Sequence, residues 1–139
     1  MHQLTASNTT DEGKYELRVE LEDLDGNTAH DIYEGFRVSS EHDGYSLSAA
    51  YVTGTAKDGL RDSVKNVKFS THDRDQDRSW LNCARNHQEA WWYTDCGYSS
   101  LNGRYKDHFT YDSDGVMWNS WQKLASMKKA EMKVRPWQK

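Results

Sequence analysis

Between Phe69 and Tyr105 three aspartates, Asp73, Asp75 and Asp77, stand at alternate positions. In a curled loop that spacing brings several carboxylates to one point, where their repulsion calls for a cation. A hard, all-oxygen donor set favours calcium over a transition metal. An EF-hand loop is excluded, because its sixth position would be Arg78 where glycine is needed and its twelfth Ala84 where glutamate is needed. The competing reading is an acidic surface turn neutralised by Arg74 and Arg78. The residues alone leave the two open.

The same stretch holds both cysteines, Cys83 and Cys96. As a disulfide they would close a short loop, worth about 3 kcal/mol in the chain-entropy treatment. A zinc pair is the weaker reading: the spacing is wrong, no other cysteine is available, and His72, His87 and His108 could complete a site only by coincidence. Ala90-Trp91-Trp92-Tyr93 reads first as core. A run of three aromatics in regular backbone cannot all face inward, so part of it is expected to line a surface groove. Leu101-Asn102-Gly103-Arg104-Tyr105 reads as a tight turn. No nucleophile elbow, phosphate loop or HExxH spacing supports a catalytic set, which argues against an enzyme.

Neither helical nor strand periodicity runs through this stretch, so regular elements elsewhere must hold it. Tyr15, Leu17, Val19 and Leu21 alternate with Glu16, Arg18, Glu20 and Glu22, the period of a half-buried strand. Asp25-Gly26 then supplies a hairpin turn, and the return strand spans Thr28 to Val38 with Tyr33, Phe36 and Val38 as anchors and a bulge at Gly35. Tyr45, Leu47 and Ala49 begin a third strand running to about Val52. Val64, Val67 and Phe69 approach the organising stretch. Val116 and Trp118 start a further strand. Ala130, Met132 and Val134 alternate with Glu131, Lys133 and Arg135 in a last strand that rejoins the sheet, because its backbone groups need partners.

The chain has 139 residues, enough for a single domain with its own core. Six tryptophans and eight tyrosines in so polar a chain imply a double use, in a core and on a contact surface. A net charge of −4 argues against nucleic acid or an anionic membrane as partner. The charge is lopsided: Met1 to Gly35 holds nine acids and two bases, Asn119 to Lys139 six bases and one acid. That pattern suggests two solvated faces that attract each other or a neighbouring protomer. There is no apolar run long enough to span a bilayer and no leader-like segment. Paired cysteines and the glycosylation sequon at Asn8 point to a secreted protein, whose export signal would lie upstream.

Taken together, F-S-T-x-D-x-D-x-D, N-C-A, W-W-Y-x-x-C, L-N-G-R-Y, G-V-x-W-x-x-W and M-K-K-A-E-M-K-V-R-P resemble the fibrinogen C-terminal domain, also called the fibrinogen-related domain. Tyr15 to Asp23 and Tyr51 to Ala56 are similar to it too, and the resemblance covers Leu4 to Pro136. It implies an α+β fold, a twisted antiparallel sheet plus a long irregular subdomain stabilised by calcium and a disulfide. The implied calcium ligands are the side chains of Asp75 and Asp77 and the carbonyls of Ser79 and Leu81, with Asp73 outside the shell. A disulfide Cys83–Cys96 and a cis peptide between Asp95 and Cys96 are implied as well. Leu81 replaces a usual glycine.

In lectin-like members an acetyl-binding pocket adjoins that peptide, which implies ligand-binding roles for His87, Asp95, Cys96, Gly97, Tyr98 and Tyr111. Those lectins typically carry an aromatic at the position of His87, a histidine at that of Gly97 and a tyrosine near Leu124; glycine after the second cysteine is similar to angiopoietins. Family members have a further N-terminal subdomain ahead of the position of Met1. The implied organisation is one N-terminally shortened domain over 1–139, with the sheet in 1–68 and the calcium- and ligand-binding part and returning strand in 69–139. The implied function is non-enzymatic, calcium-stabilised recognition of glycans or acetylated ligands in innate defence. The runner-up is a module that binds an extracellular protein receptor or matrix protein, and a homo-oligomer unit is the third reading.

Overall fold

The computed structural model describes residues 15–61, 65–87, 89–97, 99–105, 115–122 and 126–136. The expectations attached to Asn8, Val64, Tyr98, Tyr111 and Leu124 lie outside them. Strand β1 (Tyr15–Glu22) buries Leu17, Val19 and Leu21 and turns its glutamates outward. The turn that follows is pinned by Asp23, whose Oδ1 accepts the amides of Asp25 (2.9 Å) and Asn27 (2.8 Å). Gly26, at φ 86°, supplies the left-handed residue that the reversal needs. Strand β2 (Thr28–Val38) then pairs antiparallel with β1, Leu17 opposite Tyr33 and Leu21 opposite Ala29.

Strand β3 (Leu47–Gly54) pairs with β2, with the register shifting between Glu34 and Arg37, which places the expected bulge around Gly35. Tyr45 is not part of β3. It sits at φ 53° after a 3-10 turn over Glu41–Asp43. Short β4 (Lys65–Val67) adds to β3, and β7 (Lys129–Pro136) returns to β1, giving the antiparallel order β4-β3-β2-β1-β7. The remaining regular structure among the described residues is one helical turn, α1 (Cys83–His87), and the pair β5 (Ser99–Ser100) and β6 (Met117–Trp118). The fold is therefore α+β and sheet-dominated, with little helix.

The opposite charges at the two ends of the chain meet within this molecule. Because β1 and β7 run antiparallel, Arg135 reaches Glu16 (3.0 Å), Lys133 reaches Glu20 (3.1 Å) and Lys128 reaches Glu22 (3.4 Å) on the solvated face. The hydrogen bonds from Lys133 and then Arg18 hold the Glu20 carboxyl below the usual glutamate range. Exposed pairs of this kind contribute little each.

The irregular half is tied to the sheet through a buried carboxylate. Asp31, on the core face of β2, uses Oδ2 to accept the Trp118 indole N–H (2.9 Å) and the Gly59 amide (3.0 Å). The ring of Trp118 lies so close over Gly59 that any Cβ there would overlap it. Next to it, the Tyr33 hydroxyl donates to Asp58 (2.9 Å) and accepts the Leu60 amide (3.1 Å). Burial pushes the Tyr33 phenol well above its ordinary value, and the nearby carboxylates add to the shift. No helix among the described residues is long and apolar enough to cross a membrane.

Candidate functional site

After β4 the backbone leaves the sheet and is fixed by scattered polar contacts. Ser70 and Trp91 exchange backbone hydrogen bonds (2.9 and 3.2 Å), as do Thr71 and Arg74 (3.1 and 3.2 Å). Gln76 anchors the loop from inside, its amide donating to Ser70 Oγ (3.0 Å) and its side-chain nitrogen to the Phe69 carbonyl (2.7 Å). Sequence reading overlooked Gln76, which stands among the aspartates with no periodicity to mark it.

The aspartates separate into one and two. Asp73 accepts the Thr71 hydroxyl at 2.7 Å, and this bond holds its carboxyl below the usual range. Asp75 and Asp77 lie together, Asp75 Oδ1 accepting the Asp77 amide at 3.3 Å. Asp77 also closes the following loop: Oδ1 accepts the Ser79 amide (3.0 Å) and Oδ2 the Cys83 amide (2.9 Å). Burial raises the Asp77 carboxyl above its ordinary value; the two amide bonds oppose that, and the adjacent Asp75 adds to it. Among the described residues no three His, Cys, Asp or Glu side chains gather as a metal cluster, so the three-carboxylate reading of Asp73, Asp75 and Asp77 does not hold. Nor do Arg74 and Arg78 neutralise the turn. Neither forms an ion pair with these aspartates among the described residues, and Arg78 instead donates to the Lys65 carbonyl (3.4 Å).

Helix α1 starts from Asn82, whose Oδ1 accepts the Arg85 amide (3.0 Å) as an N-cap. It carries Cys83 into the core, bonded to Cys96 with Cα atoms 5.4 Å apart. Together with the Arg78 amide donating to the Thr94 carbonyl (2.8 Å), the bridge fastens the Asp75–Leu81 loop to Asp95, Cys96 and Gly97. Asp95 and Gly97 are exposed and Cys96 is half-buried. The Asp95–Cys96 peptide is trans, contrary to the expectation of a cis bond. A non-proline cis bond costs about 3–4 kcal/mol and needs surroundings that enforce it; here Gly97, at φ 114°, takes a left-handed conformation beside the bridge.

All three aromatics of the run, Trp91, Trp92 and Tyr93, are buried. Strand alternation does not apply, because this segment lies outside the strands and each ring packs on a different partner: Trp92 on Phe69, Tyr93 on His87, while Trp91 pairs its backbone with Ser70. The expected groove exists nonetheless. Val38, Tyr45, Phe69 and Trp92 floor a cavity of about 500 Å³ rimmed by Thr71, Asp73, Arg74 and Gln76. The Trp92 ring meets Phe69 edge-on at 5.1 Å between centroids and its N–H donates to the Tyr45 carbonyl (2.8 Å). His87 stacks on Tyr93 (5.7 Å, 20° between planes), whose hydroxyl donates to Glu89 (2.8 Å). Burial, then Glu89, pushes the Tyr93 phenol upward. Trp80 stands 92% exposed next to the half-exposed Leu81 on the aspartate loop.

The family model for the C-terminal globular domain of fibrinogen beta and gamma chains matches residues 1–137. The chain belongs to the fibrinogen C-terminal domain family. Fibrinogen C domain-containing protein 1 of Mus musculus is 44% identical over 135 residues, 91% of this chain and 29% of that protein. Microfibril-associated glycoprotein 4 of Bos taurus is 42% identical, covering 97% of this chain and 54% of its own. This fibrinogen-related domain thus spans about three-tenths of the length of the curated relatives that it first matches. Among solved structures, the fibrinogen-like globe domain of human ANGPTL6 superimposes with TM-score 0.89 at 38% identity, covering 99% of this chain and 61% of that one. Lamprey fibrin D-dimer, complexed with the peptide Gly-His-Arg-Pro-amide, gives TM-score 0.81 at 27% identity over 88% of this chain and 45% of its own. Members of the family are in general recognition modules rather than enzymes.

Proposed function

We propose that this fibrinogen-related domain is a secreted recognition module whose irregular half is held by a calcium ion and the Cys83–Cys96 bridge. Asp75 and Asp77 would hold the ion through their carboxylates, Ser79 and Leu81 through their carbonyls. The observation that carries this reading is the Asp75–Asp77 pair: two adjacent carboxylates with no basic side chain against them among the described residues. Oxygen-only donors of that charge suit a hard cation. When bound, the ion supplies charge neutralisation and rigidity, not reaction chemistry.

The surface so fixed, around His87, Asp95, Cys96 and Gly97, would take a glycan or another acetylated ligand in innate defence; the family resemblance adds Tyr98 and Tyr111, which lie outside the described residues. Protein binding of receptor or matrix type is the second reading. It is favoured by the exposed Gly97 where lectin-like members carry histidine, and by the likeness to the ANGPTL6 globe and to a microfibril-associated protein. A glycan array probed with and without chelator, alongside Tyr111→Ala, separates the two. Glycan binding lost with chelator and with the variant supports the first; silence on the array with saturable binding to an immobilised matrix protein supports the second.

A further inference from the structure

The core-facing residues Val38, Leu47 and Val67 sit opposite one another across β2, β3 and β4. Their sequence neighbours Arg37 and Ser39, Ser46 and Ser48, Asn66 and Lys68 gather on the other face, Asn66 from a left-handed conformation at φ 59°. Those six residues, closed over by His42 and Asp43 of the 3-10 turn, line a cavity of about 410 Å³. Its chemistry differs from that of the aromatic groove across Gly44. Three basic side chains, three hydroxyls and one amide face it, with a single carboxylate.

The bases are available. Lys128, Lys129, Lys133 and Arg135 are each paired with a glutamate, whereas Arg37, His42 and Lys68 make no ion pair among the described residues. The Asp43 carboxylate accepts the Ser40 hydroxyl at 3.5 Å, and its carbonyl accepts the Ser39 hydroxyl at 3.5 Å. The hydroxyls are ordered in place: Ser39 Oγ accepts both the Ser46 amide (2.7 Å) and the Ser46 hydroxyl (2.9 Å). The stem of Lys68 is laid against Gly44, where a Cβ would come within 2.9 Å of its Cδ, so its ammonium is carried on a packed stem rather than a free one.

We propose that this cavity binds a tetrahedral oxyanion, the chemistry shared by a sulfate ester on a sugar and by free phosphate or sulfate. Arg37 and Lys68 neutralise the anion, the Ser48 hydroxyl and the Asn66 amide donate to its oxygens, and the Ser46 hydroxyl, whose proton goes to Ser39, is left to accept from an adjoining sugar hydroxyl. Such charge-assisted hydrogen bonds are the strong class. The site is separate from the Asp75–Gly97 surface and does not depend on what that surface binds.

The test is an NMR titration of the isotope-labelled full chain at low salt with inorganic sulfate, inorganic phosphate, a sulfated glycosaminoglycan disaccharide and its desulfated parent. Saturable amide shifts confined to Ser39, Ser46, Ser48 and Asn66 are expected. Arg37→Ala and Lys68→Ala should each weaken binding about threefold to tenfold, with partial rescue by Arg37→Lys, while Lys133→Ala leaves it unchanged. If the sulfated disaccharide binds and its parent does not, the source is a glycan ester; if the inorganic anions bind as tightly, it is the free ion. Absence of saturable shifts with all three anions, shifts centred on β7, or wild-type binding by the Arg37→Ala/Lys68→Ala double variant would overturn the proposal.

Discussion

Removing the Asp31 carboxylate should loosen the whole irregular half from the sheet. In Asp31→Ala the Trp118 indole N–H and the Gly59 amide both lose their acceptor in a place that water does not reach. An orphaned buried donor costs about 1–3 kcal/mol, so two give roughly 2–6 kcal/mol. Relief runs the other way, because Oδ1 of Asp31 is buried without a hydrogen-bond partner among the described residues and disappears with the side chain. The expected net loss is about 3 kcal/mol, a large part of the roughly 7–20 kcal/mol typical for this length. Asp31→Asn keeps one acceptor in place and should cost less, about 1–2 kcal/mol. Urea unfolding followed by tryptophan fluorescence measures both. A loss under 1 kcal/mol for Asp31→Ala, or a larger loss for asparagine than for alanine, would refute the reasoning.

The other expectations rest on the loop that faces solvent. Reducing the bridge, or Cys83→Ser, should cost about 3 kcal/mol in urea unfolding from loop entropy. Without metal, the raised Asp77 carboxyl favours the folded state only while protonated; that contribution is present below the ordinary aspartate range and is lost as pH rises through the raised value. Asp77→Asn should therefore flatten the loss with rising pH in metal-free thermal melts, and an unchanged profile would count against the burial of the Asp77 carboxyl. Gly59→Ala, whose Cβ would overlap the Trp118 ring, should lower the melting temperature clearly, whereas Trp80→Ala, at an exposed ring, should change the unfolding free energy by no more than about 0.5 kcal/mol.

The sheet was legible because its signals are local and periodic. Leu17, Val19 and Leu21 alternate, Asp25-Gly26 turns, and Ala130, Met132 and Val134 alternate again, and each appears where alternation put it. The charge imbalance between the chain ends was legible too, but only the antiparallel register of β1 and β7 shows that it resolves into cross-strand pairs. Motif order identified the family, and the chain's two cysteines already marked the bridge that the structure shows. What sequence missed depends on contacts far apart in the chain. Asp31 stands at a core position of β2 and makes sense only once Trp118 arrives. Trp91, Trp92 and Tyr93 are all buried because the segment follows no strand and its rings pack on distant or neighbouring partners, Trp92 on Phe69 and Tyr93 on His87. Asp73 leaves its neighbours because Thr71, two residues back, offers it a hydroxyl.

Calorimetric titration of calcium into chelator-stripped protein with the Cys83–Cys96 bridge intact tests most directly whether an ion holds the irregular half. The account predicts one saturable binding event per chain, abolished by Asp77→Asn, with a rise in melting temperature that the variant also loses. No heat and no thermal shift in the wild-type protein would contradict it.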